Sequence, residues 1–351
     1  MPCKAPEVDP INDPDAIAPN LKRRLSGVTA TVVRLVPIQA RQMRVVATGP
    51  GLPAGVPHLA LWRVAALPRD RWRVWHARRN SEMVLGLLLR RVLRRRLRLL
   101  FTSAAQRDHK PFTRWLIARM DRVIATSAKA AAYLHRPATV ILHGVDTAVF
   151  APVADRTALR RDLGLPGGVI VGCFGRVRAQ KGVDLLVAAA IDLLPSRPGV
   201  SVVFTGLVTP DNAGFHADLV ARIAAAGLAG RIRFLGELPW AQVVRLYQAL
   251  DLFCAPARWE GFGLTPLEAM ACGVPVVAAD VGAFDQLIVP GVGSIVPPGD
   301  QAALTDALRD WLDDPARLVA GGVAARAHVQ ARHRIEDEAR AICAVYRQML
   351  A

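Results

Sequence analysis

The 351-residue chain is poor in cysteine and in aromatic residues. Its five cysteines are scattered, with no CxxC pair and no histidine at ligand spacing, which argues against a disulfide framework or a zinc site. Aromatic residues make up only 6% of the chain, and no nucleic-acid-binding module is recognisable. We therefore expect a reduced cytoplasmic protein with buried thiols and no nucleic-acid partner.

Long apolar segments are also missing. The longest uninterrupted apolar stretches, such as 84–89 and 274–279, are far shorter than the ~20 residues that span a bilayer. Residues 1–15 carry prolines and acids where a secretory signal needs a basic start and an apolar run. We expect neither export nor a membrane span, so that any membrane contact is peripheral.

Acidic residues are outnumbered by basic ones. Lys and Arg total 45 against 29 Asp and Glu, for a formal charge of +16, so an anionic partner is expected. Nucleic acid, anionic lipid and sugar-phosphate substrates all match that charge, and a solvated basic surface is the alternative. Apolar residues make up 52% of the chain, enough for the cores of two domains.

Short apolar runs alternate with helical patterns in two successive arrays, which is typical of parallel α/β sheets. The first array has predicted strands at 15–19, 43–48, 73–76, 98–103, 123–126 and 140–143, and helices at 28–42, 81–96 and 128–135. The second has strands at 169–174, 200–205, 232–235, 252–255 and 275–279, and helices at 183–194, 217–226, 241–249 and 265–272. These patterns predict domains at 1–150 and 151–330, followed by a closing helix at 331–351.

The strongest motif is the segment WEGFGLTPLE at 259–268, a glycine-containing loop between a predicted strand and a predicted helix. Thr265 suits the N-cap, and Glu268 completes a capping-box pattern. The free backbone N–H groups around Gly263 then form an anion site at the helix start. Glu260 and Glu268 are predicted to face one crevice. The alternative is that the loop only turns the chain and caps the helix.

A second motif follows the strand at 169–174. Gly175 and Arg176 come directly after this strand, and Lys181 and Gly182 precede the next helix. Open α/β sheets bind ligands at the carboxyl ends of their strands, and two cations there suit a diphosphate leaving group. A solvated pair of cations is the alternative.

Together with GVPVV at 273–277 and VPPGD at 296–300, these motifs resemble the nucleotide-binding half of the retaining GT-B glycosyltransferases with paired glutamates, over about residues 140–315. The resemblance implies two Rossmann-like domains that face each other across a cleft. It implies that Arg176 and Lys181 hold the donor diphosphate, that Glu260 contacts the donor sugar, and that these three residues are catalytic. The implied donor-binding residues, with Glu268 on the ribose and Gly236 near the base, are Gly175, Arg176, Lys181, Gly236, Glu260, Gly261, Phe262, Gly263, Leu264, Thr265 and Glu268.

Three blocks of the first half, at 19–29, 75–83 and 101–110, resemble the bacterial lipopolysaccharide-core mannosyltransferases, as does HGVD at 143–146. The resemblance implies GDP-mannose as donor and a Kdo-containing lipid A precursor as acceptor, at the inner face of the bacterial inner membrane. The acceptor-binding residues expected from these blocks are Arg23, Arg24, Ser26, Gly27, Arg78, Arg79, Asn80, Arg107 and His109. Ser26-Gly27 departs from the Gly-Gly common in the wider family, and Thr102-Ser103-Ala104 lacks its usual histidine.

No metal or other cofactor is expected, because Arg176 and Lys181 neutralise the diphosphate. The only Asp-x-Asp sequence, Asp13-Pro14-Asp15, is interpreted as a solvated turn in a mobile N-terminal region. No enzymic nucleophile is evident. Same-face attack by the acceptor hydroxyl is therefore expected, with Glu260 as a holding group and with positioning and electrostatics providing most of the rate.

Leucines and arginines are interspersed at 85–100, LGLLLRRVLRRRLRLL. The spacing predicts a helix through Arg96 that buries Leu85, Leu88, Leu89, Val92 and Leu93. The arginines on its other side are predicted to bind anionic headgroups through charge rather than insertion.

Three alternatives remain at this point. A retaining GT-B transferase that uses UDP-glucose or UDP-N-acetylglucosamine shares the same motifs. A basic nucleic-acid-binding protein accounts for the charge, and a sugar-binding protein without activity accounts for the fold.

Overall fold

The computed structural model describes residues 12–22 and 27–351, which divide into two compact units. The first unit contains the chain up to Leu142 together with the final segment Ile335–Ala351, and the second is His143–Arg334. The division therefore lies a few residues from the predicted boundaries at 150 and 330. Arg23, Arg24 and Ser26 lie outside the described residues.

The first unit is an α/β unit built on a parallel six-stranded sheet. Its strands are β1 (Ala16–Pro19), β2 (Val45–Thr48), β3 (Arg73–Ala77), β4 (Leu97–Ser103), β5 (Arg122–Ala125) and β6 (Thr139–Val140). Its helices are α1 (Gly27–Ala40), α2 (Leu61–Ala66), α3 (Asn80–Arg91), α4 (Pro111–Ile117), α5 (Ala128–Ala132) and, from the end of the chain, α14 (Ile335–Leu350). The strand order is β2-β1-β3-β4-β5-β6.

The second unit contains another parallel six-stranded sheet. Its strands are β7 (Val169–Phe174), β8 (Val200–Thr205), β9 (Ile232–Phe234), β10 (Leu252–Ala255), β11 (Val276–Ala279) and β12 (Gly293–Val296). Its helices are α6 (Arg156–Asp162), α7 (Val183–Leu193), α8 (Ala213–Ala225), α9 (Trp240–Ala249), α10 (Thr265–Ala271), α11 (Phe284–Leu287), α12 (Gln301–Leu312) and α13 (Pro315–Arg332). The strand order is β12-β11-β10-β7-β8-β9.

In both sheets, the strands that follow one another in sequence are added first on one side of an internal strand and then on its other side. In the first unit β1 lies between β2 and β3, and in the second unit β7 lies between β8 and β10. Such a reversal leaves a crevice at the carboxyl ends of the two central strands, where open α/β sheets bind their ligands. The predicted pair of parallel α/β arrays is confirmed, and each array has its own crevice position.

Helix α14 closes the sheet of the first unit through a buried polar contact. The hydroxyl of Tyr346 lies 2.6 Å from Nδ1 of His76 on β3, and Nε2 of His76 lies 2.6 Å from Oγ1 of Thr102 on β4. Burial lowers the pKa of His76 well below its ordinary value, with the charge of Arg78 as a second cause. A neutral His76 therefore links two strands and the last helix.

Helix α3 differs from its prediction in length and in the face that it buries. It ends at Arg91 instead of Arg96, because Arg94 adopts a left-handed conformation (φ +50°) before β4 begins. Gly86 packs against the Trp75 ring, where a Cβ would lie 2.5 Å from Cδ1. This contact rotates the helix so that, of the five residues predicted to be buried, only Leu89 is.

The prediction of a solvated turn at Asp13-Pro14-Asp15 was also wrong. Asp13 forms ion pairs with Arg44, Arg71 and Arg73, and Asp15 pairs with Arg44 and Arg71. These hydrogen bonds and charges hold the pKa of both carboxyls below their ordinary value against the opposing effect of burial. The two acids therefore anchor the start of β1.

In the part of the chain that the structure describes, no helix is both long enough and apolar enough to cross a bilayer.

Candidate active site

The crevice of the second unit lies where β7 and β10 end. Its lining includes three residues of the predicted donor site that carry charge, namely Arg176, Lys181 and Glu260. Gly175 and Thr265 line it as well, together with the buried Phe284. The topology thus brings together the two motifs, which are about 80 residues apart in the sequence.

Lys181 and Glu260 form an ion pair in this crevice. Lys181 Nζ donates to Glu260 Oε2, and Glu260 Oε1 accepts from the backbone N–H of Gly261 at 3.0 Å. The two side chains are only 24% and 20% exposed. A mostly buried pair of this kind is weakly screened, so that each charge orients the other before a ligand arrives.

Two glycines allow the chain to approach closely around this pair. Gly182 has φ +67°, and a Cβ there would lie 1.9 Å from the carbonyl oxygen of Pro256. Gly263 has φ +87°, and a Cβ there would lie 2.2 Å from the Phe284 ring. Both positions therefore require glycine, which places the Lys181 turn and the Glu260 loop against each other.

Arg176 is the exposed cation of the crevice, and it makes no ion pair within the described ranges 12–22 and 27–351. The nearby thiol of Cys173 is buried, and burial raises its pKa to about 12. Cys173 is therefore a neutral thiol at pH 7 and is unsuited to nucleophilic attack.

Gly236 lies in the loop after β9, next to the end of β8. Its carbonyl oxygen accepts from Thr205 Oγ1 at 2.7 Å and from the backbone N–H of Gly206 at 2.8 Å. The carbonyl of Thr205 in turn accepts from the N–H of Gly175 at 2.9 Å. These bonds join the loops after β7, β8 and β9 along one edge of the sheet.

Glu268 does not form the predicted capping box. Helix α10 begins at Thr265 after Leu264, which provides no side-chain cap. Glu268 Oε2 instead accepts from the hydroxyl of Tyr247 on α9 at 2.9 Å. Burial, followed by the charge of Glu268, raises the pKa of Tyr247 well above its ordinary value, so that the hydroxyl stays protonated and donates.

Phe262 of the predicted donor loop faces the interior of the second unit. The Phe262 ring is buried and packs edge-on against His143, with 4.7 Å between ring centroids. The carbonyl oxygen of Phe262 accepts from the N–H of Ala283 at 3.1 Å. The loop is therefore pinned on its inner side.

The first unit contains a basic cavity of about 600 Å³. It opens at the carboxyl ends of β3 and β4 and contains four of the predicted acceptor-binding residues, Arg78, Asn80, Arg107 and His109. Lys110 also lines it, and Asp108 is the one acidic residue among the described residues of its lining. A cavity with three permanent cations is suited to a carboxylate or phosphate group.

His109 is a neutral member of this cavity at pH 7. Burial lowers its pKa below the ordinary value, and the charge of Arg107 lowers it further. Its Nε2 lies 3.4 Å from Oγ of Ser103. The imidazole can therefore accept or donate a hydrogen bond there without adding a charge.

Arg79 belongs to a polar cluster at the carboxyl ends of β1 and β3. Its guanidinium donates to Glu82 Oε1 at 2.7 Å, to Asn20 Oδ1 at 3.1 Å and to Thr29 Oγ1 at 3.0 Å. Glu82 is fully buried and also accepts from the backbone N–H groups of Arg78 and Arg79. Arg79 thus shapes the loop that carries Arg78. Gly27 is the first residue of α1, and a Cβ added there would have no neighbour within 4 Å.

Several residues of these sites were missed at the level of sequence. Lys110 is the last residue of the block 101–110, and its positive charge could have indicated that it belongs to the acceptor site. Nothing in the sequence indicates a role for Tyr247, because a tyrosine on an amphipathic helix is usually a core residue. Thr205 was hidden in the same way, as the last residue of a buried strand.

A comparison with protein families identifies the family of this chain. Residues 155–339 match the model described as glycosyl transferases group 1. The chain belongs to this family. It is 50% identical to the lipopolysaccharide core biosynthesis mannosyltransferase LpsB of Rhizobium meliloti (strain 1021), over 97% of this chain and 99% of that protein. It is 51% identical to the lipopolysaccharide core biosynthesis mannosyltransferase LpcC of Rhizobium leguminosarum bv. viciae, over 97% of this chain and 98% of that one.

Solved structures identify the fold of this glycosyltransferase as GT-B. HepE of Anabaena, solved with UDP, superposes with a TM-score of 0.82 over 95% of this chain and all of that one, at 20% identity. The C-terminal domain of a group 1 glycosyl transferase (LpcC) of Francisella tularensis superposes with a TM-score of 0.53 over 55% of this chain, at 32% identity. HepE has also been solved with UDP-glucose.

Proposed function

We propose that this glycosyltransferase moves mannose from GDP-mannose to a Kdo-containing lipid A acceptor of the lipopolysaccharide inner core. The crevice after β7 and β10 carries the proposal, because it combines Arg176, Lys181 and Glu260 where a nucleotide-sugar binds in this fold class. The names of the two relatives at 50% and 51% identity support mannose as the sugar and the lipopolysaccharide core as the acceptor.

The donor diphosphate binds between the two cations. Arg176 and Lys181 stabilise the negative charge that grows on the leaving diphosphate, which is the usual electrostatic contribution to such a transfer. Glu260, held by Lys181 and by the Gly261 N–H, orients the hydroxyls of the mannose. Glu268, held by Tyr247, binds the ribose. No metal is needed for charge neutralisation.

The acceptor binds in the basic cavity of the first unit. Kdo carries a carboxylate and lipid A carries phosphates, and Arg78, Arg107 and Lys110 provide matching charge. The acceptor hydroxyl attacks on the face from which the diphosphate leaves and transfers its proton to a departing phosphate oxygen. The anomeric configuration is thereby retained. The enzyme acts at the inner face of the bacterial inner membrane, as a peripheral protein.

A donor screen tests this function. The full-length protein is incubated with Kdo-lipid A and, in separate reactions, with GDP-mannose, UDP-glucose or UDP-N-acetylglucosamine, and the products are weighed by mass spectrometry. A hexose added from GDP-mannose alone is the expected result. Transfer only from a UDP-sugar would replace the donor, and binding to random DNA without any transfer would revive the nucleic-acid hypothesis.

A further inference from the structure

Helices α3 and α4 lie side by side on one face of the first sheet. Near their first residues, Asn80 Nδ2 donates to Thr113 Oγ1 at 2.8 Å. At the other end, Arg90 Nη2 donates to the carbonyl oxygen of Arg119 at 3.2 Å, two residues beyond the end of α4. The two helices therefore run parallel, and their sheet-facing residues, such as Leu87 and Leu116, are buried.

The sides of these helices that face away from the sheet carry large exposed apolar side chains. Val84, Leu88 and Val92 follow one another at a spacing of four and are 44%, 49% and 66% exposed. On α4, Phe112 and Trp115 are 57% and 46% exposed, and their rings stack with 6.0 Å between centroids. With Leu93, 37% exposed, they form a surface that we call the apolar ridge: Val84, Leu88, Val92, Leu93, Phe112 and Trp115.

Cations are interspersed with the residues of the apolar ridge along the chain. Residues 84–119 contain ten Lys and Arg against one Asp. Arg91, Arg94 and Arg114 are exposed, and the Arg119 guanidinium lies over the Trp115 ring, 3.7 Å from its centroid. Exposed aromatic and aliphatic side chains bordered by arginine are typical of a protein segment that lies in the interface of an anionic bilayer.

The apolar ridge adjoins the basic cavity. Asn80 and Thr113, which join the two helices, both line that cavity, and Phe112 precedes Thr113 in the chain. A surface that inserts its apolar side chains at this point brings the cavity to the level of the lipid headgroups. An acceptor can then keep its acyl chains in the bilayer while its charged sugar enters the cavity.

We propose that the apolar ridge inserts into the headgroup and acyl boundary of an anionic membrane, with the surrounding arginines bound to lipid phosphates. Apolar insertion accompanies the charge attraction and takes the place of the charge-only contact expected from the sequence, because Leu88, Val92 and Leu93 are exposed instead of buried. The membrane contact is independent of the proposed transfer reaction, and only the identity of the acceptor rests on the proposed function.

Vesicle co-sedimentation tests the proposal with a matched control. The ridge variant is Leu88→Ser/Phe112→Ser/Trp115→Ser, and the control is Val319→Ser/Val323→Ser, which removes side chains that are 71% and 70% exposed on α13. We expect affinity for phosphatidylglycerol vesicles to fall about tenfold or more in the ridge variant, and to stay unchanged in the control. Wild-type protein retains part of its binding at about 1 M salt, where surface charge is screened within ~3 Å.

Insertion is measured separately by tryptophan fluorescence. Phosphatidylglycerol with brominated acyl chains quenches the wild-type fluorescence, and Trp115→Phe lowers the quenched share while vesicle binding persists. Binding that disappears at high salt without any quenching would overturn the insertion, as would wild-type binding by the ridge variant. A ridge-dependent dimer that ignores vesicles would assign the surface to a second copy.

Transfer from GDP-mannose to acceptor dispersed in detergent separates the two proposals. If vesicle binding and quenching occur but no mannose is transferred, the proposed function fails and the ridge stands. If transfer occurs and the ridge variant sediments like wild type, the ridge fails and the function stands.

Discussion

At the residue scale, the proposed transfer depends on the Lys181–Glu260 ion pair. Both side chains were assigned to the donor site from their positions after strands, and the structure joins them at the carboxyl ends of β7 and β10. The sequence predicts that the two side chains lie near each other, but not that they form an ion pair. The sequence carries no signal that the lysine and the glutamate bind each other before the donor arrives.

Glu260→Gln is expected to slow transfer without unfolding the protein. The substitution keeps the shape but removes the charge that pairs with Lys181 and that we propose orients the sugar hydroxyls, at an expected cost of about 2–4 kcal/mol of barrier. The measurement is kcat under chemistry-limited conditions, with Asp310→Asn on the exposed side of α12 as the control. A wild-type kcat in Glu260→Gln would remove Glu260 from the mechanism.

At the element scale, strands were more predictable than helix ends. The strands at 169–174, 200–205 and 252–255 were predicted with the bounds that β7, β8 and β10 have, because each is a short and mainly apolar run. Strand β12 was missed, because its first two residues, Gly293 and Ser294, are not apolar. A buried interior strand has a clear pattern, whereas an edge strand need not.

The buried face of a helix and the contacts of its first turn depend on residues that are distant in sequence. The leucine spacing at 85–93 predicted a buried stripe, but the close contact between Gly86 and Trp75 sets which face of α3 meets the sheet. The capping box at Thr265 failed for a similar reason, because Glu268 is held by a tyrosine on another helix. A local pattern cannot include such partners.

The contact between α9 and α10 is predicted to position the ribose ligand. In Tyr247→Phe, Glu268 loses a hydrogen bond to a charged group, which costs about 1.5–3 kcal/mol. Because Glu268 is proposed to bind the ribose and not the reacting atoms, we expect the KM for GDP-mannose to rise roughly tenfold with little change in kcat. Tyr133→Phe, at a partly exposed tyrosine of the first unit, is the control. A lower kcat at unchanged KM would contradict the positioning role.

At the scale of the whole molecule, stability is expected to depend on pH through buried histidine. Burial, with the charges of His328 and Arg332, lowers the pKa of His333 to about 4. Between that value and the ordinary 6.5 the unfolded chain binds the proton and the folded chain does not, so that stability rises with pH. The contribution, about 3 kcal/mol at most, is fully present above pH 6.5 and is lost as the pH falls towards 4.

This expectation is checked by thermal unfolding across that range. His333→Asn should flatten the decline of Tm between pH 6.5 and 4 relative to wild type. His58→Asn, an exposed histidine of the first unit, should leave the decline unchanged. Parallel pH profiles for wild type and His333→Asn would show that His333 does not titrate in the way its burial requires.

The charge of +16 divides between separate tasks in this account. Arg176 and Lys181 meet the donor diphosphate, the cations of the basic cavity meet the acceptor, and those around the apolar ridge meet lipid. The sequence predicted an anionic partner but not this division, because it depends on which strands and helices lie next to each other.

Metal-free transfer of mannose with retention is tested in a single reaction. The full-length enzyme is incubated with GDP-α-mannose and Kdo-lipid A in excess EDTA, and the anomeric configuration of the product is determined by NMR. We expect an α-mannoside, formed at the rate seen without EDTA. A β-mannoside, or a product that forms only after magnesium or manganese is restored, would contradict it.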